Sequence, residues 1–313
     1  MRSICFSSSE RSGKAPHEVG QSSAAVVHET VSPTTLLRTV RECLYASARR
    51  RADALFELID AVLSVSSVPS VPHLSLTAVL RRGWGSLYAA LSKGRLDEEA
   101  LRDLLARHPL DPDRQQDGPP VYAVDVTPWP RCDAEANPER GYHYHPSRHS
   151  AGQPVVAGWA YQLVAQIGFA RDTWVAPVDG RRVHPTEGTN DVAAEQVWHS
   201  APQIPYQTAA HPLFVFDAGY DPVRLQRELQ GHGAQLLVRL HSNRVFYADP
   251  EQEIPRPVGG PQRHGAKFDL QDPDTWPEPS AEHHCEDDYY GGVRVMVDGG
   301  MVRPYKGAVG IML

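Results

Sequence analysis

The chain has 313 residues, of which 41% are hydrophobic and 22% are charged. These fractions are typical of globular proteins, so they exclude a fibrous or wholly disordered chain and leave room for a catalytic domain and a smaller one. The formal net charge of −7 argues against a uniformly basic surface, because contacts with nucleic-acid phosphates need clustered Lys and Arg side chains.

Neither a membrane span nor a secretion signal is recognisable in the sequence. No stretch approaches the ~20 apolar residues that a membrane span needs. The N-terminal segment MRSICFSSSERSGK has no apolar core of signal-peptide length. We therefore expect a cytoplasmic protein without a membrane partner.

The first third of the chain has a helical pattern after a polar start. Residues 1–31 are rich in Ser and small polar residues without apolar periodicity, which predicts a disordered leader. Ser32 and Pro33 suit an N-cap and the first helical position, and apolar residues then recur at helical spacing. Residues 32–115 are therefore predicted to form a small helical module.

Arginines of this module are candidates for DNA contact. The residues in question are Arg49, Arg50, Arg51, Arg81 and Arg82. A cluster of this kind can lie on phosphates, or it can be the solvated face of a helix. The sequence leaves both interpretations open.

The pattern changes after the Pro- and Asp-rich linker 109–120, where short apolar runs typical of strands begin. Strands are predicted at 121–127, 155–169, 173–178, 213–217, 234–241 and 244–248, and helices at about 190–200 and 221–231. Strands in a run that then alternate with helices indicate an α/β domain with a mixed sheet. This second domain is predicted over 116–313, with a loop-rich insertion at 250–290.

Two of these strands end in aspartate, Asp125 in VYAVDVTPW and Asp217 in LFVFDAGYD. Ligands of open α/β sheets collect outside the carboxyl ends of strands, so neighbouring strands would bring both carboxylates into one crevice. Hard oxygen ligands suit Mg²⁺ or Mn²⁺, which support phosphodiester cleavage. Alternatively, the two aspartates only cap turns through backbone amides.

The segments around these aspartates resemble DDE transposases. VDVTPWPR followed by HPSRHSAGQPVVAGWAYQLVAQIG is similar to the first catalytic strand and its hairpin. FVFDAGYDPVRLQREL with LLVRLHSNRVFY is similar to the second catalytic strand, its helix and the next strands. The resemblance covers roughly residues 36–290 and extends to the order of elements in actinobacterial-type insertion-sequence transposases.

The resemblance implies an RNase H-like fold, in which Asp125 and Asp217 are catalytic metal ligands and the first two acids of the DDE triad. The third acid would be a glutamate in a Tyr-x-x-Arg-x-x-x-Glu segment on a later helix, and the chain has no such segment. Acids near the end lie in a loop-like segment, namely Glu282, Glu286, Asp287 and Asp288. Because the resemblance stops near Arg294, we expect the last part of the catalytic fold to be missing.

The activity that the resemblance implies is Mg²⁺- or Mn²⁺-dependent cleavage of double-stranded DNA at transposon ends, followed by strand transfer, by a chain that can act as a homo-oligomer. Without the third acid the activity is expected to be defective. Two alternatives remain: a non-catalytic DNA-binding remnant that inhibits transposition, and a metal-dependent nuclease of the same fold that uses an acid from 282–288.

Three residues near the two acids have two interpretations each. Arg239 and Arg244 can contact DNA phosphates, or they can be solvent-facing arginines of a strand pair. Trp129 can stack on a base or simply pack against its neighbours.

Other chemistries receive less support from the sequence. A structural zinc at Cys132, His143, His145 and His149 matches no familiar ligand spacing. The remaining cysteines, Cys5, Cys43 and Cys285, are too far apart for a disulfide framework. The chain also lacks the G-x-S-x-G turn of hydrolases and the glycine-rich loops that bind nucleotide phosphates.

Overall fold

The structure is a computed structural model, and it describes residues 32–68, 70–108, 110, 118–145, 154–169, 175–204, 211–248, 250, 264–287, 291–297, 301–304 and 311–312. The predicted leader 1–31, His149 and Asp288 lie outside the described residues. The described residues form two compact units, one up to His108 and one from Leu110 onward.

The first unit is helical, as predicted. Its elements are α1 (Pro33–Ser47), β1 (Ala48–Arg50), α2 (Ala52–Leu63), α3 (Val71–Leu74), α4 (Trp84–Lys93), β2 (Arg95–Leu96) and α5 (Glu98–Ala106). Ser32 caps α1 by accepting a hydrogen bond from the Thr35 amide, and Asp97 caps α5 in the same way through the Ala100 amide. These caps satisfy amides that have no partner inside the helix.

Packing between helices gives this unit its core. Ala61, Leu74 and Leu87 are fully or almost fully buried and form one cluster across α2, α3 and α4. Arg41 and Asp60 tie α1 to α2 through two parallel hydrogen bonds of 2.6 and 2.9 Å. A paired guanidinium and carboxylate fix orientation as well as distance.

The predicted arginine-rich helix face does not form at 49–51. Arg49 and Arg50 lie in β1, which pairs with β2, and Arg51 adopts a left-handed backbone conformation (φ 58°) before α2. The change of direction between α1 and α2 occurs at these residues, so their side chains do not follow a helical face.

The second unit is mixed α/β. Its strands are β3 (Val121–Pro130), β4 (Gly141–Tyr144), β5 (Val155–Ile167), β6 (Val175–Val183), β7 (Leu213–Phe216), β8 (Gln235–Val238), β9 (Val245–Ala248), β10 (Lys267–Asp269), β11 (Ala281–Asp287), β12 (Gly291–Val297), β13 (Met301–Pro304) and β14 (Ile311–Met312). Its helices are α6 (Thr189–Ser200) and α7 (Pro222–Leu229), with 3-10 turns at Ala201–Gln203 and Pro273–Thr275.

Six of these strands form the main sheet. Its order is β4-β5-β3-β7-β8, and β6 pairs with β5 beside β4. The strands β4, β5, β6 and β3 are joined by antiparallel pairs, whereas β3, β7 and β8 run parallel. A mixed sheet in this order with flanking helices is RNase H-like, so the predicted fold class is confirmed.

One face of the main sheet is packed and the other is more open. Along β5, residues alternate between buried and partly or fully exposed, and the buried side includes Val156, Ala160 and Val164. Helix α6 lies on the buried side, where Val192 joins a cluster with Ala160 and Val183. The opposite side, which we call the open face, carries Asp125.

The structure differs from the loop-rich prediction for 250–290 in two places. Strand β10 pairs with β9 in a second sheet of order β10-β9-β13-β14, and β11 forms a hairpin with β12. Glu282 and Glu286 therefore lie on a strand. β11 is polar and therefore lacks the apolar pattern by which a strand is recognised in a sequence. It becomes a strand through pairing with β12, which lies later in the chain.

Within the described ranges, no helix combines the length and the apolar character needed to cross a bilayer.

Candidate active site

Asp125 lies in the middle of β3, where the strand passes from a buried to an exposed stretch. Tyr122 and Val124 before it are 1% and 2% exposed, and they anchor the first half of the strand in the core. The Asp125 side chain points to the open face, and its Oδ1 accepts a hydrogen bond of 2.8 Å from the Val126 amide. Among the described residues, no hydrogen bond reaches its second oxygen.

Asp217 begins the turn between β7 and α7. Its Oδ1 accepts a hydrogen bond of 2.8 Å from the Gly219 amide, which is an Asx-type turn. A Cβ atom at Gly219 would lie 3.0 Å from that oxygen, so glycine suits this close turn. Asp221 then caps α7 through the amides of Val223 and Arg224, which fixes where the turn ends.

The parallel pairing of β3 and β7 brings the two aspartates together. Val124 is in register with Phe216, and Asp125 and Asp217 are the residues that directly follow this pair. Adjacent strands lie about 4.8 Å apart, so the two aspartates are neighbours. Partial burial raises the pKa of Asp125 above its ordinary value, the Val126 hydrogen bond opposes this, and the charge of Asp217 adds to the rise. The two carboxylates therefore repel each other.

Tyr220 belongs to the same site, although sequence analysis did not single it out. Its ring packs edge-on against Phe216 at 5.2 Å between centroids, and the residue is only 3% exposed. Burial and the charges of Asp125 and Asp217 raise the pKa of Tyr220, so the hydroxyl keeps its proton. That hydroxyl has no hydrogen-bond partner among the described residues. The only available signal was its position three residues after Asp217.

Arg239 lies at the same edge of the sheet. Phe216 is in register with Val238 on the parallel strand β8, and the Arg239 amide donates a hydrogen bond of 3.0 Å to the Phe216 carbonyl. Asp125, Asp217 and Arg239 therefore follow one another across three adjacent strands. Arg239 is exposed, and no acidic partner is present for it among the described residues.

Arg244 and the arginines of the helical unit have other surroundings. Arg244 precedes β9 in the second sheet, so β8 and β9 are not the strand pair that the sequence suggested. Arg49 pairs with Asp97, and Arg82 pairs with Asp53 at 3.1 Å and Glu57 at 3.2 Å. The remaining three, Arg50, Arg51 and Arg81, are exposed. DNA contact by any of these residues stays a prediction.

No third ligand joins Asp125 and Asp217 within the described part of the chain, where no group of three or more His, Cys, Asp or Glu side chains can hold a metal ion. The same finding applies to Cys132, His143 and His145, so the described members of the zinc hypothesis do not form a site. Glu282 and Glu286 do not complete the pair either.

A comparison with protein families shows which family the chain belongs to. A profile described as DDE superfamily endonuclease matches residues 39–291, which is more than half of the chain. The chain belongs to this family. The resemblance in the sequence is thus confirmed at the level of DDE endonucleases, whereas the actinobacterial subtype and the truncation stay predictions.

Comparisons with individual proteins add little to the DDE family assignment. No curated protein matches the chain. One similar solved structure is a cryo-EM structure of a piggyBac transposase synaptic complex with hairpin DNA, with 13% identity and a TM-score of 0.30. The match covers 76% of this chain and 46% of that chain, so the chain spans less than half of the transposase's length.

Proposed function

We propose that this DDE endonuclease is a DNA transposase, which cleaves phosphodiester bonds at the ends of its element in a metal-dependent reaction and transfers the strand to target DNA. The observation that carries the proposal is that Asp125, in the middle of β3, and Asp217, directly after β7, lie side by side on adjacent parallel strands. Two carboxylates so close together repel each other, and a bound cation would neutralise this repulsion.

The donor set fits a small divalent cation. Mg²⁺ is typically held by one or two carboxylates while water and substrate phosphate fill its other positions. Asp125 and Asp217 supply two carboxylates, and each has used one oxygen for a local amide hydrogen bond. A bound Mg²⁺ or Mn²⁺ would lower the pKa of an attacking water and stabilise the leaving oxygen.

Each residue of the site has a proposed part in this reaction. Asp125 and Asp217 hold the cation and orient the scissile phosphate. Arg239, beside them and without an acidic partner among the described residues, contacts a phosphate oxygen. The protonated Tyr220 hydroxyl donates a hydrogen bond to a group held between the two acids.

The proposal is tested with a duplex that contains the DNA flanking this chain's own gene. Cleavage in Mg²⁺ or Mn²⁺ is measured for the wild type, Asp125→Asn and Asp217→Asn. We expect either substitution to reduce the rate at least about 100-fold, because each removes a cation ligand. Asp274→Asn, a matched loss of charge at an exposed aspartate of the same unit, leaves the rate unchanged. Cleavage that survives both substitutions would contradict the proposal.

A second candidate is a DNA-binding form without cleavage, which acts as an inhibitor of transposition. It is favoured by the finding that, in the described ranges, no third metal-binding side chain accompanies the two acids. This candidate predicts salt-sensitive binding to the duplex with no product in either metal. Cleavage without transfer of the cut strand would instead indicate a nuclease of the same family.

The partner in either form is double-stranded DNA, and we propose that the chain acts on it as a homo-oligomer. Light scattering of the chain with and without the duplex tests this part. A complex with one chain per DNA end and no association between ends would contradict it.

A further inference from the structure

Aromatic side chains gather on the open face of the main sheet. Direct partners in antiparallel strands project to the same side of a sheet. Thr127 and Trp129 lie two and four residues after Asp125 on β3, so they project to the same face. Their partners on β5 are Tyr161 and Trp159, so the rings of Trp129, Trp159 and Tyr161 share the face of Asp125. On the next strand Tyr142 and Tyr144 are paired with Ala157 and Val155 of the same side. We call Trp129, Tyr142, Tyr144, Trp159 and Tyr161 the aromatic surface.

These rings are not part of the core. Trp129, Tyr142 and Tyr144 are 60%, 79% and 71% exposed. The core below them is already supplied by the other side of the same strands, including Val156 and Ala160. A group of exposed aromatic residues in one place marks a binding surface more often than chance exposure does.

Arginines border the aromatic surface. The guanidinium carbons of Arg131 and Arg182 lie 5.5 and 4.8 Å from the ring centroid of Trp159. Arg140 donates a hydrogen bond of 3.1 Å to the Arg131 carbonyl. Two acids also lie nearby, Asp133 at 3.3 Å from Arg131 and Glu139 at 3.3 Å from Arg182. The surface thus places three arginines beside the rings, and two of them, Arg131 and Arg182, are paired with acids.

The aromatic surface is continuous with the acid pair. Trp129 follows Asp125 by four residues on one strand, a distance of about 13 Å. Stacked nucleotides advance about 3.4 Å each, so this distance corresponds to at most about four nucleotides, and to fewer when the bases are unstacked and the strand is extended. A strand of DNA with a phosphate at Asp125 and Asp217 can therefore extend across the rings.

We propose that the aromatic surface binds single-stranded DNA that leads away from the scissile phosphate, with unpaired bases on the exposed rings of Trp129, Tyr142 and Tyr144 and phosphates near Arg140 and Arg182. This inference rests on the proposed function. Stacking requires a base face that is not covered by a neighbouring base, so the rings select unpaired over duplex DNA. The arginines and the continuity with the acids favour DNA over a protein partner.

The test measures binding of a fluorescein-labelled single-stranded oligonucleotide of about 12 nucleotides by anisotropy, in EDTA so that no cleavage occurs. We expect Trp129→Ala and Tyr142→Ala each to weaken binding about 5- to 150-fold, the range for loss of one stacked base. Trp198→Ala is the matched control, because Trp198 is 59% exposed on α6, the helix packed on the buried side of the sheet. It leaves binding unchanged.

Further measurements separate stacking from charge and from misfolding. Trp129→Phe keeps a ring and restores most of the affinity that Trp129→Ala loses. The logarithm of the binding constant falls linearly with the logarithm of the salt concentration, and Arg182→Ala makes this fall less steep because a phosphate contact is lost. Tyr142→Ala leaves the steepness unchanged. Tyr142 is so exposed that its removal keeps the melting temperature of the wild type.

The outcomes distinguish this proposal from the proposed function. Single-stranded binding that Trp129→Ala and Tyr142→Ala weaken supports the aromatic surface even if no DNA is cleaved. It is overturned if the wild type does not bind the oligonucleotide, prefers the matched duplex, or loses no more affinity with these variants than with Trp198→Ala. Cleavage that Asp125→Asn abolishes would in that case leave the proposed function intact.

Discussion

At the scale of residues, the site is characterised by two aspartates without a cationic partner in the described part of the chain. Each carboxylate accepts one hydrogen bond from a backbone amide one or two residues later, and neither has a cationic partner among the described residues. The alternative interpretation, in which both aspartates only cap turns, fits Asp217, whereas Asp125 lies within β3 and bonds the next amide of that strand. It does not account for their placement side by side, which costs electrostatic energy in the absence of a cation.

Substitution of Asp125 is expected to stabilise the metal-free protein. The pKa of Asp125 is raised above its ordinary value of 3.8, so the ionised side chain destabilises the folded state. This destabilisation is present in full above the pKa of the folded protein and disappears below the ordinary pKa. Asp125→Asn keeps the acceptor for the Val126 amide and removes the charge. We expect a higher melting temperature than the wild type at pH 7 in EDTA, and a difference that shrinks as the pH falls toward 3.8. A melting temperature that is equal or lower at pH 7 would contradict this.

Tyr220 gives a second prediction. Its buried hydroxyl has no partner among the described residues, and an unmade hydrogen bond of this kind costs about 1–3 kcal/mol. Tyr220→Phe keeps the ring on Phe216, so urea denaturation in EDTA is expected to give an equal or larger free energy of unfolding. Tyr220→Ala removes the ring and loses about 3–5 kcal/mol. A loss of more than about 1 kcal/mol in Tyr220→Phe would show that the hydroxyl is bonded.

At the scale of elements, contact between β3 and β5 positions the open face. A Cβ atom on Gly158 of β5 would lie 2.1 Å from the Trp129 carbonyl oxygen and 3.1 Å from the Arg131 amide nitrogen. Both neighbours are backbone atoms of the paired strand, so they can yield only if the strands separate. Glycine at this position is therefore a requirement of close approach.

Gly158→Ala is expected to lower the free energy of unfolding by about 1–3 kcal/mol or more, because the added methyl group overfills the strand pair. Gly180→Ala on β6 is the matched control, since its Cβ would contact only a side-chain carbon of Leu163, at 3.0 Å. Urea denaturation of both variants provides the measurement. Equal effects of the two substitutions would contradict the argument.

Much of the second unit could be predicted from sequence, and the reason is local. The runs that became β3, β5 and β7 are apolar and β-branched, and the aspartates that end or interrupt them mark the exposed edge. β11 could not be predicted, because its polar residues become a strand only through pairing with β12. Tyr220 was missed because its burial depends on how the turn after Asp217 folds back onto Phe216.

At the scale of the whole molecule, a cation should stabilise the fold as well as serve the reaction. A ligand that binds only the native state adds RT ln(1 + [L]/Kd), about 2.7 kcal/mol when its concentration is 100 times Kd. We expect Mg²⁺ to raise the melting temperature of the wild type and of Asp274→Asn. The shift is lost in Asp217→Asn. A shift of equal size in Asp217→Asn would place the cation elsewhere.

The parallel pairing of β3 and β7 also bears on how this site can change over time. Its main-chain hydrogen bonds can be made by every amino acid except proline, and its register is set by the alternate side chains that are buried, Tyr122 and Val124 on β3 and Phe214 and Phe216 on β7. The spacing of the two acids therefore depends on the apolar character of these positions more than on the identity of each residue. Descendants of this gene can exchange these side chains for other apolar ones and keep the gap between the carboxylates, so sequence divergence is a poor measure of whether the site has been lost.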